Sequence, residues 1–437
     1  MITATIGKIF LEAYNKKHDT KYDARTFFVE VYHPLFFDSN KYLQWVQNSP
    51  FVQMKKGQKV ETLTADERKE KLQDFITKVE NSSVPDASIA PGFPASEEKE
   101  FATTSGQVTN LNLSTGKDDI FFSWIGSSLG VGLQGRLSIL FLEPVILIDL
   151  FEGWNLYRKV ISENDKLRGN QINTWNGQWL AHRYSKDYRQ EQPMADFKPF
   201  ETANDGMSVA TQSWTKVLIG ISRQFNNPRM MGYVYNLGQT NTTIGFIPFS
   251  LEHIRRPIQL YAKLFDAEEG KKAEDLWGTE NGFRACCQRG AIGIEAMQPK
   301  GLRQYMTIDK NKEIKLPKYK SNDEIKTINF HTYQIWLLAM LNNEELWTKS
   351  MEFAQTLQSH TEKSKNGKTT NSRQIDAVLS ATNKKTFIEA LTTIASESTD
   401  VNGLVEMAKT INQMPNDNVP YLLTLIRFQY AALQQKQ

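Results

Sequence analysis

Between Ile125 and Val160 the chain reads IGSSLGVGLQGR, then LSILFL, then Glu143-Pro144, then VILIDLFEGWNLYRKV. Few folds accept that order. Gly126, Gly130, Gly132 and Gly135 form a loop able to take positive φ and to let another backbone come close. Leu137 to Leu142 is a short apolar run suited to a buried strand. Pro144 fits a first helical turn, where its missing N–H costs nothing. After it, Leu147, Ile148, Phe151, Trp154 and Tyr157 make an amphipathic helical stripe. Gly130, Gly132 and Gly135 also satisfy G-x-G-x-x-G, the dinucleotide fingerprint. That fingerprint needs a strand before it and a helix opening on its last glycine. Here a strand comes after the loop and no βαβ repeat surrounds it, which argues against a nucleotide site. Two readings stay open: a tight structural turn, or a glycine loop laid against a second backbone such as a nucleic-acid groove.

A chain of 437 residues has room for two or three domains, each with its own core. Its formal net charge is only +3, so any nucleic-acid surface must be local. Nine Trp and 24 Phe supply large cores or interfaces. The two cysteines, Cys286 and Cys287, are adjacent, which fits neither an unstrained disulfide nor zinc spacing; reduced thiols in a cytoplasm are expected. The N-terminus lacks a signal-peptide pattern. The longest apolar run, Leu137 to Phe151, is broken by Glu143, Pro144 and Asp149 and is too short for a bilayer, so no membrane partner is expected.

In chain order, Ile2 to Asn15 reads as a helix. Asp38 is a plausible N-cap for the segment around Tyr42, Leu43 and Trp45. Thr64 and Glu67 form a capping box ahead of a charged helix from Ala65 to Val79. Asn81 to Thr115 reads as a long loop. Asn164 to Phe200 reads as polar and irregular, with Trp175, Trp179, Tyr184, Tyr188 and Phe197 among basic residues. Such aromatics either stack bases or pin a loop to its domain. Trp214 to Ser222 looks like a strand. Met231 to Pro248 reads as a hairpin with a polar tip carrying Gln239 and Asn241. Beyond Leu251, helical patterns dominate: 256–269, 322–341, 343–359, 372–396, 402–414 and 420–433, with a polar break at 361–371. The expected class is α+β: a mixed domain over 1–250 with short sheets and the glycine loop, then a helical bundle over 251–437. A linker-like segment at 307–326 carries Lys310, Lys312, Lys315, Lys318, Lys320 and Lys326.

Chemistry is sparse. The six histidines are scattered, without H-x-x-x-H spacing. No G-x-S-x-G occurs, and no Walker lysine comes after the glycines. The acidic residues sit in mixed-charge helices. A non-enzymatic binding protein with no metal or cofactor is expected. The rival classes are a scaffold subunit without direct DNA reading and a metal-dependent nuclease with dispersed ligands.

Several pieces in this order resemble the large subunit of Cascade, the type I CRISPR surveillance complex, in particular its type I-E form. Ser49-Pro50-Phe51-Val52-Gln53 is similar to an early Pro-Phe-x-Gln signature. The elements over 126–160 are similar to the family's glycine loop and the strand and helix after it. Asn173-Thr174-Trp175 is similar to a Pro-[AT]-Trp segment, with Asn173 in place of the proline. Ser213-Trp214-Thr215 and the Gly232-Tyr233 hairpin with Pro248 have counterparts, and a helical bundle comes next there as here. The hairpin tip, Asn-Leu-Gly-Gln-Thr-Asn, departs from the family's usual one.

The resemblance implies a cytoplasmic antiviral-defence protein working beside other Cascade subunits and a guide CRISPR RNA. Such a subunit recognises the protospacer-adjacent motif in double-stranded target DNA, starts strand separation and the R-loop, and helps recruit a helicase–nuclease. Protein reads the short motif, and base pairing reads the rest. It further implies that Gly130, Gly132 and Gly135, with Gln134 and Arg136, meet the minor groove. Asn236, Gln239 and Asn241 would form a wedge at the first base pair. Arg136 and Lys310, Lys312, Lys315, Lys318 and Lys320 would contact phosphates.

Overall fold

The computed structural model describes residues 2–434 apart from 47–48, 82–115, 204–205, 227–229, 237–241, 309–312, 365–369 and 399–400. The class is α+β, with two antiparallel sheets among many helices. The chain divides into two compact units: Met1–Leu251 with Cys287–Ala291, and Glu252–Cys286 with Ile292–Gln437.

The first unit is built on α1 (Ile2–His18) and its crossing with α5 (Lys117–Ser128). Between them in sequence lie the short helices α2 (Ala24–Phe27) and α3 (His33–Phe36), joined by a π turn, and α4 (Ala65–Asn81). The α1–α5 crossing is made backbone to backbone. A Cβ on Gly7 would lie 2.0 Å from Phe122 O, and one on Gly126 would lie 1.9 Å from Thr3 O. Beside the glycines, Thr3 Oγ1 and Ser123 Oγ share a 2.6 Å hydrogen bond. An aromatic cluster fills the space around this axis. Phe37 and Phe51 stack at 4.3 Å, and Trp124 meets Phe51 and Phe75 edge-on. Phe51, from the Ser-Pro-Phe-Val-Gln phrase, is therefore core. The core also holds a fully paired polar knot. Tyr32 Oη donates to Gln44 Oε1 at 2.7 Å, and Gln44 Nε2 donates to Ser127 Oγ at 2.8 Å.

The box at α4 forms as its residue types require: Thr64 N donates to Glu67 Oε2, and Glu67 N donates to Thr64 Oγ1. The segment 38–46 holds bends and extended residues and no helix, so Asp38 caps nothing there. The expected loop at 81–115 lies outside the described residues from 82 onward.

Strands β1 (Val131–Leu133) and β2 (Leu137–Phe141) come after α5, and then α6 (Pro144–Glu163) opens with proline in its first turn. Leu147, Ile148, Phe151, Trp154 and Tyr157 are all buried. Next comes α7 (Ile172–Arg183), where an irregular stretch was expected. Trp175 and Trp179 are core residues rather than base-stacking platforms: Trp175 Nε1 donates to Gly153 O and Trp179 Nε1 to Asp149 O. Strands β3 (Phe200–Ala203) and β4 (Gly206–Val209) form a separate hairpin. The run Trp214 to Ser222, expected as a strand, is helix α8 (Trp214–Gln224). Ser213 caps it by accepting from Lys216 N, and Trp214, Val217, Leu218 and Ile221 are buried along one stripe. The last two strands, β5 (Met230–Asn236) and β6 (Thr242–Phe249), complete a four-stranded antiparallel sheet of order β1-β2-β5-β6.

The second unit is helical. Helices α9 (Leu251–Leu264), α10 (Ala267–Ala273) and α11 (Glu280–Gln288) lead to α12 (Glu324–Leu341), α13 (Glu345–Ser364) and α14 (Thr370–Leu379). Helices α15 (Lys384–Ser396), α16 (Asn402–Gln413) and α17 (Val419–Gln434) close the bundle. The expected long helix over 372–396 is broken between α14 and α15, where Asn383 caps a new start. The buried carbonyls at the C-terminus of α14 are met by a cation from α17. Arg427 is 3% exposed and donates to Leu379 O at 2.6 Å, Ala381 O at 2.5 Å and Tyr305 O at 3.3 Å. No described helix is long and apolar enough to cross a membrane.

Two measurements test this packing. Gly126→Ala forces a methyl into a backbone carbonyl that cannot rotate away, and overpacking of this kind costs about 1–3 kcal/mol or more. Urea unfolding should show a loss at the top of that range, whereas alanine at helical Gly270, where a Cβ would meet only the Tyr261 ring at 3.4 Å, should cost far less. His33 is buried, and desolvation lowers its pKa to about 4 from the ordinary 6.5. The unfolded chain therefore binds the extra proton between those pH values, and the stability is complete above pH 6.5 and lost as pH falls toward 4. Relative to His33→Phe, the parent should lose about 1.4 kcal/mol per pH unit across that window.

Candidate nucleic-acid interface

The site grows out of the C-terminus of α5. Its last carbonyls have no helical partner and need donors, which α7 supplies from side chains. Asn176 Nδ2 donates to Ser128 O at 2.7 Å and to Gly130 O at 2.9 Å, while Asn176 Oδ1 accepts from Trp154 Nε1 at 3.0 Å. Asn173 Nδ2 adds a bond to Gly130 O at 2.9 Å. The two amides thus fix the chain where it turns into β1.

This clamp explains the first two glycines and corrects the part expected of them. Gly130 and Gly132 are buried. A Cβ on Gly130 would lie 2.3 Å from Asn173 Nδ2 and 2.5 Å from Tyr235 Oη, and one on Gly132 would lie 3.0 Å from the Asn173 carbonyl. The close approach they allow is to α7 and β5 of the same chain, so neither offers its backbone to a groove. Tyr235 is itself buried there, and burial pushes its hydroxyl up to about 12.

The exposed part of the loop is Gln134-Gly135-Arg136, which joins β1 to β2. Gly135 has φ +78° and Arg136 φ +60°, so a non-glycine residue is held in the left-handed region beside a glycine that adopts it freely. Gln134 N donates to Gln212 O at 2.9 Å, which anchors the base of the turn. The side chains of Gln134 and Arg136 are exposed and have no protein partner among the described residues. The turn therefore presents one amide and one guanidinium, both able to donate to a nucleic acid.

Strand register decides where this turn sits relative to the second predicted element. Leu133 pairs with Leu137, Leu137 with Asn236, and Asn236 with Thr242. These four residues form one row across the sheet. The turn 134–136 and the two residues that flank 237–241 are consequently at the same end of it. Asn236 is half-buried, and its Oδ1 has no hydrogen-bond partner among the described residues. Gln239 and Asn241 lie outside the described residues, as do Lys310 and Lys312.

The remaining lysines belong to the second unit. Lys315 is exposed but engaged: its Nζ donates to Gln304 Oε1 at 2.6 Å and sits 5.5 Å from the Tyr305 ring centroid. Lys318 and Lys320 are exposed. Among the described residues, no group of three or more His, Cys, Asp or Glu could hold a metal ion. Sequence reasoning missed Asn173 and Asn176 as the loop's anchors, because an asparagine three residues from another signals nothing until both meet the same carbonyl.

No family model, curated protein or solved structure matches this chain.

The clamp carries its own test. Asn176→Leu leaves the Ser128 carbonyl and the Trp154 indole N–H unpaired in the interior, at about 1–3 kcal/mol each, while Gly130 O keeps its bond from Asn173. Denaturant melts should show a loss of about 3 kcal/mol or more. A loss below about 1 kcal/mol would mean that Asn173 alone holds the loop.

Proposed function

We propose that this chain is a non-catalytic DNA-recognition subunit of a guide-RNA effector of the Cascade type, and that it reads a short motif in duplex DNA at the free end of the β1-β2-β5-β6 sheet. The single observation that carries the reading is the row Leu133, Leu137, Asn236 and Thr242, which puts the 134–136 turn at the same sheet end as the two residues that flank the segment expected to enter the duplex. Arg136 and Gln134 suit the turn to phosphate and base-edge contacts, since a guanidinium and an amide are common donors to both. Recognition then rests on exposed side chains at the turn and not on bare glycine backbone. A hairpin opening one base step works against an unstacking cost of a few kcal/mol.

One feature favours a second reading, a scaffold subunit. On the edge strand β6, Phe246 is 51% exposed, and Met231 on β5 is 39% exposed. An exposed apolar group on an edge strand, as Phe246 is, suits contact with a neighbouring protein.

Duplex binding by the complex assembled with its guide RNA separates the two. Gln239→Ala combined with Asn241→Ala should weaken duplex binding about tenfold or more. Arg136→Gly should lower the slope of log K against log salt by about one while relieving backbone strain. Unchanged binding in both variants, with assembly intact, would favour the scaffold.

A further inference from the structure

A cavity of about 420 Å³ in the first unit shares no residue with the α5–β1 clamp and is lined by residues from 40–61 and 169–170. That volume falls within the range of small-ligand sites. Its wall includes Trp45, which is 45% exposed in a unit whose Trp124, Trp154, Trp175 and Trp179 are all buried. An indole left open to a cavity has an unused stacking face. Behind it the wall is rigid. Asn170 N donates to Tyr42 O at 2.8 Å, and Gly169 is pressed so closely on Tyr42 that a Cβ would lie 2.8 Å from its carbonyl oxygen. Asn170 itself holds φ +60°.

The polar groups around the indole are of three kinds. Asn170 and Asn40 bring side-chain amides, which can match the mixed donors and acceptors of a base edge. Lys59 brings a cation, and Glu61 brings a carboxylate of the type that accepts from a sugar hydroxyl. All four are exposed, and the side chains of Asn170, Lys59 and Glu61 have no partner among the described residues. A second cation, Lys41, is committed to the fold: its Nζ donates to Asn164 O at 2.8 Å and Asp165 O at 3.0 Å. The lining thus pairs one open aromatic face with amides, a cation and a carboxylate.

We propose that this cavity binds one unpaired ribonucleotide, its base stacked on Trp45, its edge met by Asn40 and Asn170, its ribose hydroxyl by Glu61 and its phosphate by Lys59. The proposal is independent of the sheet-end reading, because no residue of the cavity belongs to the β1-β2-β5-β6 sheet. A free mononucleotide and one nucleotide of a single strand share this chemistry, and the test separates them.

Calorimetric titration of the full chain uses AMP, UMP, the hexamers rA6 and rU6, and the deoxy hexamer dA6. At least one ribo probe should bind. Binding should fall about tenfold or more in Trp45→Ala and stay within about threefold of the parent in Trp45→Phe. The ribo hexamer should bind more tightly than dA6, and Glu61→Gln should abolish that preference. Binding of AMP or UMP assigns the site to a free nucleotide, whereas binding of hexamers alone assigns it to a strand. Because Trp45 is exposed, matched melting curves for parent and variant are expected. If no probe binds, or if Trp45→Ala binds as well as the parent, the site is overturned; equal binding of rA6 and dA6 overturns the ribose assignment.

Discussion

The contact on which the first unit depends is the crossing of α1 and α5 at Gly7 and Gly126. Two helices can approach this closely only where neither carries a side chain, and here each glycine faces a carbonyl of the other helix. The aromatic cluster of Phe37, Phe51, Phe75 and Trp124 packs around the resulting axis. The crossing fixes where α5 ends. The asparagines of α7 then take up its last carbonyls, and the chain enters β1 in one orientation.

The glycine loop does two different physical jobs. Gly130 and Gly132 are spent inside the protein, where Asn173, Tyr235 and the α7 backbone occupy the space a Cβ would need. Only Gly135 serves the surface, by taking a positive φ that makes room for the tight β1–β2 connection. Of this loop it is Gln134 and Arg136 that face solvent, and the proposed duplex reading is drawn on them. The rows of hydrogen bonds from β1 to β6 place the 134–136 turn at the same end of the sheet as Asn236 and Thr242.

Much of the architecture was legible in the sequence where a local rule is strong. Pro144 opens its helix, Thr64 and Glu67 form their box, the stripe from Leu147 to Tyr157 is core, and the arms of the β5–β6 hairpin pair as their alternation suggests. The failures have physical causes. Trp214 to Ser222 is rich in β-branched and aromatic residues, yet the Ser213 cap and an i, i+3, i+4, i+7 stripe win as a helix. In 172–183 the polar residues that suggested a loop are Asn173 and Asn176, whose partners are carbonyls more than forty positions away. Of the candidate site, the exposed turn was legible as a glycine-rich tip. The burial of Gly130 and Gly132 was not, because a glycine required by packing and one required by a ligand look identical in one sequence.

The central claim is that the 134–136 turn and the β5–β6 hairpin face the same stretch of one duplex. A photocrosslinking residue placed at position 134 and, in a separate protein, at position 239 tests it directly in the complex assembled with guide RNA and bound to target DNA. The account predicts crosslinks from both positions to base pairs within about one helical turn of each other, beside the first base pair of the guide–target duplex. Crosslinks from one position only, or from the two positions to DNA segments farther apart than that, would contradict it.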